Sequence, residues 1–142
     1  MTSTDVEKSA ALRAVPLFQG ITEESLSRLV AVTGEQSFRP GQFIVLQGQV
    51  GSGLYVILDG SVRIVLGSTE LTTLGPGEFF GELAVIDQQP RNASVQAATP
   101  VQCLALASWD LLQLLESDRA LALNLIRGLV ERIREHGEQH RN

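Results

Sequence analysis

The residues best suited to chemistry in this sequence gather between Gly75 and Val95. The run Gly75-Pro76-Gly77-Glu78-Phe79-Phe80-Gly81-Glu82-Leu83-Ala84-Val85-Ile86 is a glycine-rich bend leading into a short stretch of good helix formers. Such a junction exposes successive backbone N–H groups that can point at one spot, and the helix dipole favours an anion there. Gly81 has no Cβ, so a ligand can approach its backbone closely. Arg91 follows Pro90, whose ring stiffens the backbone, and can present its guanidinium fork bidentately to a phosphate. Glu82 accepts hydrogen bonds only, when ionised, and can take one from a sugar hydroxyl. Each feature also has an ordinary reading. The bend can serve only the chain's own geometry, Arg91 can be a solvated surface charge, and Glu82 can be a helix-start acid.

The other reactive side chains do not assemble into catalytic machinery. His136 and His140 are the only two histidines, and although i, i+4 spacing would suit one helix face, they sit in a polar tail and read as a solvated end. Cys103 is the single cysteine, within the apolar run Val101-Gln102-Cys103-Leu104-Ala105-Leu106. It reads as a small buried hydrophobe, and an intramolecular disulfide is impossible. No nucleophile with a neighbouring base stands out, so the expectation is no enzyme, no metal and no cofactor.

At 142 residues, with 44% hydrophobic and 19% charged side chains, the chain can bury one core that offsets its entropy. A formal net charge of -5 argues against a direct nucleic-acid partner or an anionic lipid surface. Attraction for an anion must then come from a few local donors. Met1 to Arg13 lacks the basic start and apolar run of a signal peptide, and charged or polar residues interrupt every apolar stretch short of a membrane span. A cytoplasmic protein is expected.

The elements that must position the Gly75–Val95 segment follow from periodicity and turn chemistry. Ser3 or Thr4 can cap a first helix, closed by Pro16. Thr22 can cap a second, in which Leu26, Leu29 and Val30 share a face. From Glu35 to Leu106 short β-rich runs alternate with glycine turns, which suggests a barrel, roll or sandwich. The Leu54–Leu58 and Ser61–Leu66 runs flank Asp59-Gly60, a strong hairpin signal. Ser108 can cap a helix carrying Leu111, Leu112, Leu114 and Leu115, and Asp118 a longer one. That last helix bears a broad apolar stripe of Leu121, Leu125, Ile126, Leu129, Val130 and Ile133.

Phe80-Gly81-Glu82-Leu83-Ala84, followed by Pro90-Arg91-Asn92-Ala93-Ser94-Val95, resembles the phosphate-binding cassette of cyclic nucleotide-binding domains. The resemblance extends over nearly the whole chain: Val15-Pro16-Leu17-Phe18 is similar to the family's helical opening, and Phe38–Ile44 and Gly53–Ile57 to its early strands. It implies a mainly β fold with flanking helices, a β-roll of the double-stranded β-helix or jelly-roll type. The chain would form a single domain over 1–142, with N-terminal helices over about 4–33, the roll over about 35–107 and C-terminal helices over about 108–136.

By that resemblance Glu82 receives the ribose 2′-hydroxyl and Arg91 pairs with the cyclic phosphate. Backbone amides around Gly81, Leu83 and Ala84 add donors, and Asn92 and Ala93 complete the ligand-binding set. Asn92 departs from the family's small or hydroxyl residue, and its side chain both donates and accepts, so its type leaves adenine and guanine both open. Val45, Leu46 and the Leu129–Ile133 stretch are candidates for covering the base, although core packing is the stronger reading for each of these apolar residues.

The implied function is a regulatory sensor of a cyclic nucleotide, cAMP or alternatively cGMP, in which the ligand repositions the C-terminal helices. The alternative is an interaction or dimerisation domain with weak or no nucleotide binding, using Leu125, Leu129 and Ile133 to form a homodimer. The chain stops at Asn142 without a second basic helical pair, so an effector protein is expected to act in trans.

Overall fold

The structure is a computed structural model that describes residues 4–50, 53–81 and 91–139. Helix α1 (Asp5–Arg13) opens with a capping box, in which Thr4 Oγ1 accepts from Glu7 N and the Glu7 carboxylate accepts from Thr4 N. The helix ends before Pro16, which begins a 3-10 turn over Pro16–Phe18. Helix α2 (Glu23–Val32) is capped by Thr22, whose hydroxyl accepts from Ser25 N, and it buries the expected Leu26, Leu29 and Val30. Lys8 Nζ donates to Thr33 O at 2.9 Å, tying α1 to the end of α2.

Two four-stranded antiparallel sheets follow. Their strands are β1 (Gly34–Phe38), β2 (Phe43–Val45), β3 (Gly53–Asp59), β4 (Val62–Leu66), β5 (Thr69–Leu74), β6 (Phe79–Phe80), β7 (Ser94–Ala97) and β8 (Val101–Ala107). The orders are β1-β8-β3-β6 and β2-β7-β4-β5, a mainly antiparallel β-roll with flanking helices, as the resemblance implied.

The Asp59-Gly60 turn is not a hairpin. β3 pairs with β8 and β6, whereas β4 pairs with β7 and β5, so the turn carries the chain from one sheet to the other. The return passage through Ala98–Pro100 runs beside it: Ala98 N donates to Ser61 O, and Ser61 N donates to Thr99 Oγ1 at 2.9 Å. Gly60 has φ +88°, and a Cβ there would run into Pro100 O. Gly60 thus takes the positive φ that its type allows, while Asp59 remains the last residue of β3, and what fixes strand pairing is the long-range partner. The tight hairpin is at Gly67-Ser68, where Leu66 faces Thr69.

Alternation along the first sheet divides two cores. Leu54, Val56, Leu104 and Leu106 face the helices with Leu12, Leu17, Phe18 and Leu29, while Tyr55, Ile57, Val101 and Cys103 face the second sheet's Val45, Val62 and Val95. Both faces of β3 are therefore dry, which explains its unbroken apolar run. Cys103 is fully buried and its thiol is pushed up to about 12 by that burial, so it packs as a hydrophobe.

Helix α3 (Ser108–Ser117) is capped at Ala107 without a side-chain bond, so Ser108 lies inside its first turn rather than at the cap. Asp118 does cap α4 (Arg119–Gln139), its Oδ1 accepting from Leu121 N at 3.0 Å. The broad stripe on α4 divides: Leu121 and Leu125 are buried and Leu129 packs at the core's edge, whereas Ile126, Val130 and Ile133 are exposed. The helix docks on the Pro16–Phe18 turn and α3, and that contact is narrower than the stripe.

Asp118 gives the helical cluster an acid sensitivity. The hydrogen bond from Ser25, then the Leu121 N–H and Arg28, hold its carboxyl below the ordinary 3.8. A lowered folded pKa contributes stability above the unfolded value and loses it as pH falls through the folded one. Chemical unfolding followed from neutral to about pH 2 is expected to show this loss, and Asp118→Asn to flatten it. Equal slopes in parent and variant would remove Asp118 from the account.

Candidate functional site

Arg91 precedes the bend that leads into β7 and is buried, 9% exposed, contrary to the alternative of a solvated surface arginine. Its backbone is bridged to the loop after β2: Arg91 N donates to Gln49 O at 2.7 Å and Gly48 N donates to Arg91 O at 2.9 Å. Its guanidinium Nη2 donates to Gly53 O, at the first residue of β3, at 2.7 Å. Main chain and side chain are thus both held, and the planar fork is fixed in place rather than sampling rotamers.

Gly81 follows β6 and has φ +91°. A Cβ there would stand 2.5 Å from Gly53 O and 2.6 Å from Arg91 Nη1, so the residue must be glycine to let its backbone lie against the guanidinium. The sheet fixes that approach. β6 pairs Phe80 with Tyr55 and Phe79 with Val56, and the Phe80 ring stacks on Tyr55 at 5.1 Å while Tyr55 meets Phe38 edge-on at 6.5 Å. Three separated segments, at Gly53, Gly81 and Arg91, therefore converge on one buried cation in a chain of net charge -5. A planar cation beside exposed-backbone glycine is suited to an oxyanion such as a phosphate.

Of the other expected site residues, Asn92 is exposed and Ala93 half-buried in the bend between Arg91 and β7. Glu82, Leu83 and Ala84 lie outside the described residues. Val45 is buried between the sheets and Leu46 is exposed, while Leu129 belongs to the helical core and Val130 and Ile133 are exposed. Gly48, Gln49 and Gly53, which hold Arg91, were not singled out by residue type. Gly48 and Gly53 belong to the run of glycine turns and Gly53 opens a stretch similar to the family's early strands, but residue type ties neither them nor Gln49 to Arg91, because the contacts they make cross the fold. Gly53 also lines a cavity of about 310 Å³ with Gly34, Tyr55, Ala105, Ala107 and Asp110. Among the described residues no cluster of His, Cys, Asp or Glu could hold a metal ion, and no helix is long and apolar enough to cross a membrane.

A family model described as the cyclic nucleotide-binding domain matches residues 35–118, from β1 to the end of α3. The chain belongs to that family. A cyclic nucleotide-binding domain is a regulatory module rather than a catalytic one, and its family implies a cyclic nucleotide as ligand. The cyclic AMP receptor protein of Thermus thermophilus is 35% identical over 129 residues, 87% of this chain and 60% of that protein. The cGMP-dependent protein kinase, isozyme 1, of Drosophila melanogaster is 36% identical over 103 residues, 67% of this chain and 13% of the kinase. The chain thus spans less than two thirds of either relative. Among solved structures, the N-terminal domain of a transcriptional regulator from Streptomyces coelicolor A3(2) superposes with a TM-score of 0.82 at 31% identity, covering 91% of this cyclic nucleotide-binding domain and 94% of that chain.

Proposed function

We propose that the chain is a cAMP sensor in which Arg91 pairs with the cyclic phosphate. Glu82 receives the ribose 2′-hydroxyl, the backbone amides of Gly81, Leu83 and Ala84 supply further donors, and Asn92 and Ala93 border the ligand. The whole of 1–142 acts as one sensing domain. The observation that carries this reading is the buried Arg91 guanidinium held against Gly81 and Gly53, a fixed fork in an acidic chain. cAMP is preferred over cGMP because the relative named for cyclic AMP aligns over more of this chain, 87% against 67% for the cGMP-dependent kinase. Binding shifts the packing of α4, and an effector in the cytoplasm reads the shift, without direct contact of this domain to nucleic acid or membrane. A ligand can do this only through different affinity for the two helical arrangements.

Thermal unfolding with each nucleotide tests the reading. At a hundred times its dissociation constant a ligand of the native state adds about 2.7 kcal/mol. cAMP is expected to raise the transition more than cGMP at equal concentration. No shift with either at millimolar concentration would sink the proposal.

A second reading, self-association, is favoured by the exposed Leu123, Ile126, Val130 and Ile133, which recur every three to four residues along α4. This seam differs from the Leu125, Leu129 and Ile133 stripe read from sequence, since Leu125 is buried and Leu129 packs on the chain's own core. Sedimentation with and without cAMP separates the two: a monomer under both conditions excludes the homodimer.

A further inference from the structure

Asp118 stands where α2, α3 and α4 meet. Its N–H donates to Leu114 O of α3 at 2.7 Å, and its Oδ1 caps α4 through Leu121 N. Capping needs only that one oxygen, and Asn, Ser or Thr would serve as well. The second oxygen is spent across the chain on α2: Oδ2 accepts from Ser25 Oγ at 2.7 Å and from Arg28 Nη1 at 2.8 Å. The Asp118 side chain is 4% exposed and Ser25 is buried with it.

Neighbouring contacts share the same direction. Asn124 Nδ2 donates to Gln19 O at 2.7 Å, Gly128 brings the α4 backbone close to Pro16 O, and Leu121 and Leu125 pack in one core with Leu17 and Phe18. The first turns of α4 are therefore carried by residues 16–28. Displacing α4 alone would leave a buried carboxylate without its two α2 donors. Stranding a buried charge costs more than the coupling free energy that a ligand ordinarily supplies between sites.

We propose that Asp118 is a positioning residue that joins α4 to α2 as one moving part, so that a ligand-driven shift of α4 is delivered to the surface of the α1–α2 pair. This rests on the reading that cAMP binds and repositions α4. It places an output face at the opposite end of the sequence from the helix that moves.

The test uses the full chain with a fluorophore on Ser27→Cys, an exposed α2 position; Cys103 is buried with a raised thiol pKa and does not compete for the label. cAMP is titrated with calorimetry and dye emission read in parallel. The labelled parent is expected to show a saturable dye change that tracks binding. Asp118→Asn keeps the cap but loses the ion, and is expected to bind cAMP while its dye change falls at least about fivefold. Ser25→Ala approaches the same contact from α2 and is expected to reduce the change too, which keeps the test decisive if Asp118→Asn does not fold. A parent that binds cAMP without a dye change, or variants that keep the full change, would overturn the joint. Absence of calorimetric binding in the parent would instead overturn the sensor reading, and the joint with it.

Discussion

Replacing Arg91 with alanine is expected to weaken cAMP binding at least about tenfold, or roughly 1.4 kcal/mol. The reason lies in how the side chain is held. One guanidinium nitrogen is bonded to Gly53 O and the other faces the Gly81 backbone, so the cation is already positioned before a phosphate arrives and little rotamer entropy remains to be lost. Alanine removes both the charge and the fork. Arg91→Lys keeps the charge but not the planar geometry, and its affinity should fall between the other two. Calorimetric titration of parent and both variants, each checked for native circular dichroism, measures the effect. Equal affinities would mean that the phosphate is bound elsewhere.

Gly60→Ala is expected to be the most damaging exchange for stability, about 3 kcal/mol or more. Two costs combine there: φ is +88°, where a side chain is strained, and the new Cβ would run into Pro100 O of the neighbouring passage between sheets. Gly41 supplies the control. It has the same φ of +88° but nothing within 4 Å of the place a methyl group would take, so Gly41→Ala carries only the backbone strain, about 1 kcal/mol. Urea unfolding of the two variants separates conformational strain from collision. Similar losses at both positions would show that the corner between the sheets has room to adjust.

Much of the local structure was legible because its causes are local. Thr4 and Thr22 accept from backbone N–H groups three residues on, and Leu26, Leu29 and Val30 share a helix face by spacing alone. The β-roll and the family were legible from an ordered string of residues in and around the cassette. Pairing was not. Asp59-Gly60 has the composition of a hairpin turn, but β3 gains more by lying between β8 and β6, with both of its faces buried, than by folding back on β4. The burial of Arg91 was equally hidden, since it depends on Gln49 and on Gly53, which lies 38 residues earlier in the chain. On α4, periodicity marked every apolar residue alike, and only the narrow dock on Pro16–Phe18 distinguishes Leu125 from Ile126.

The pairing of β8 between β1 and β3 has a consequence for how the chain acquires its shape. The strand completed last in synthesis is a central strand of its sheet, bonded to Gly34–Phe38 on one side and to Gly53–Asp59 on the other. Until residues 101–107 leave the ribosome, β1 has no partner and the helical core lacks Leu104 and Leu106. Contacts of such long sequence separation form slowly, because the intervening loop must close before they contribute. The first sheet can therefore be completed only after β8 is made, whereas the local β4–β5 hairpin does not wait for it, and the helices at Val32 and Ser108 enter and leave the roll along adjoining strands.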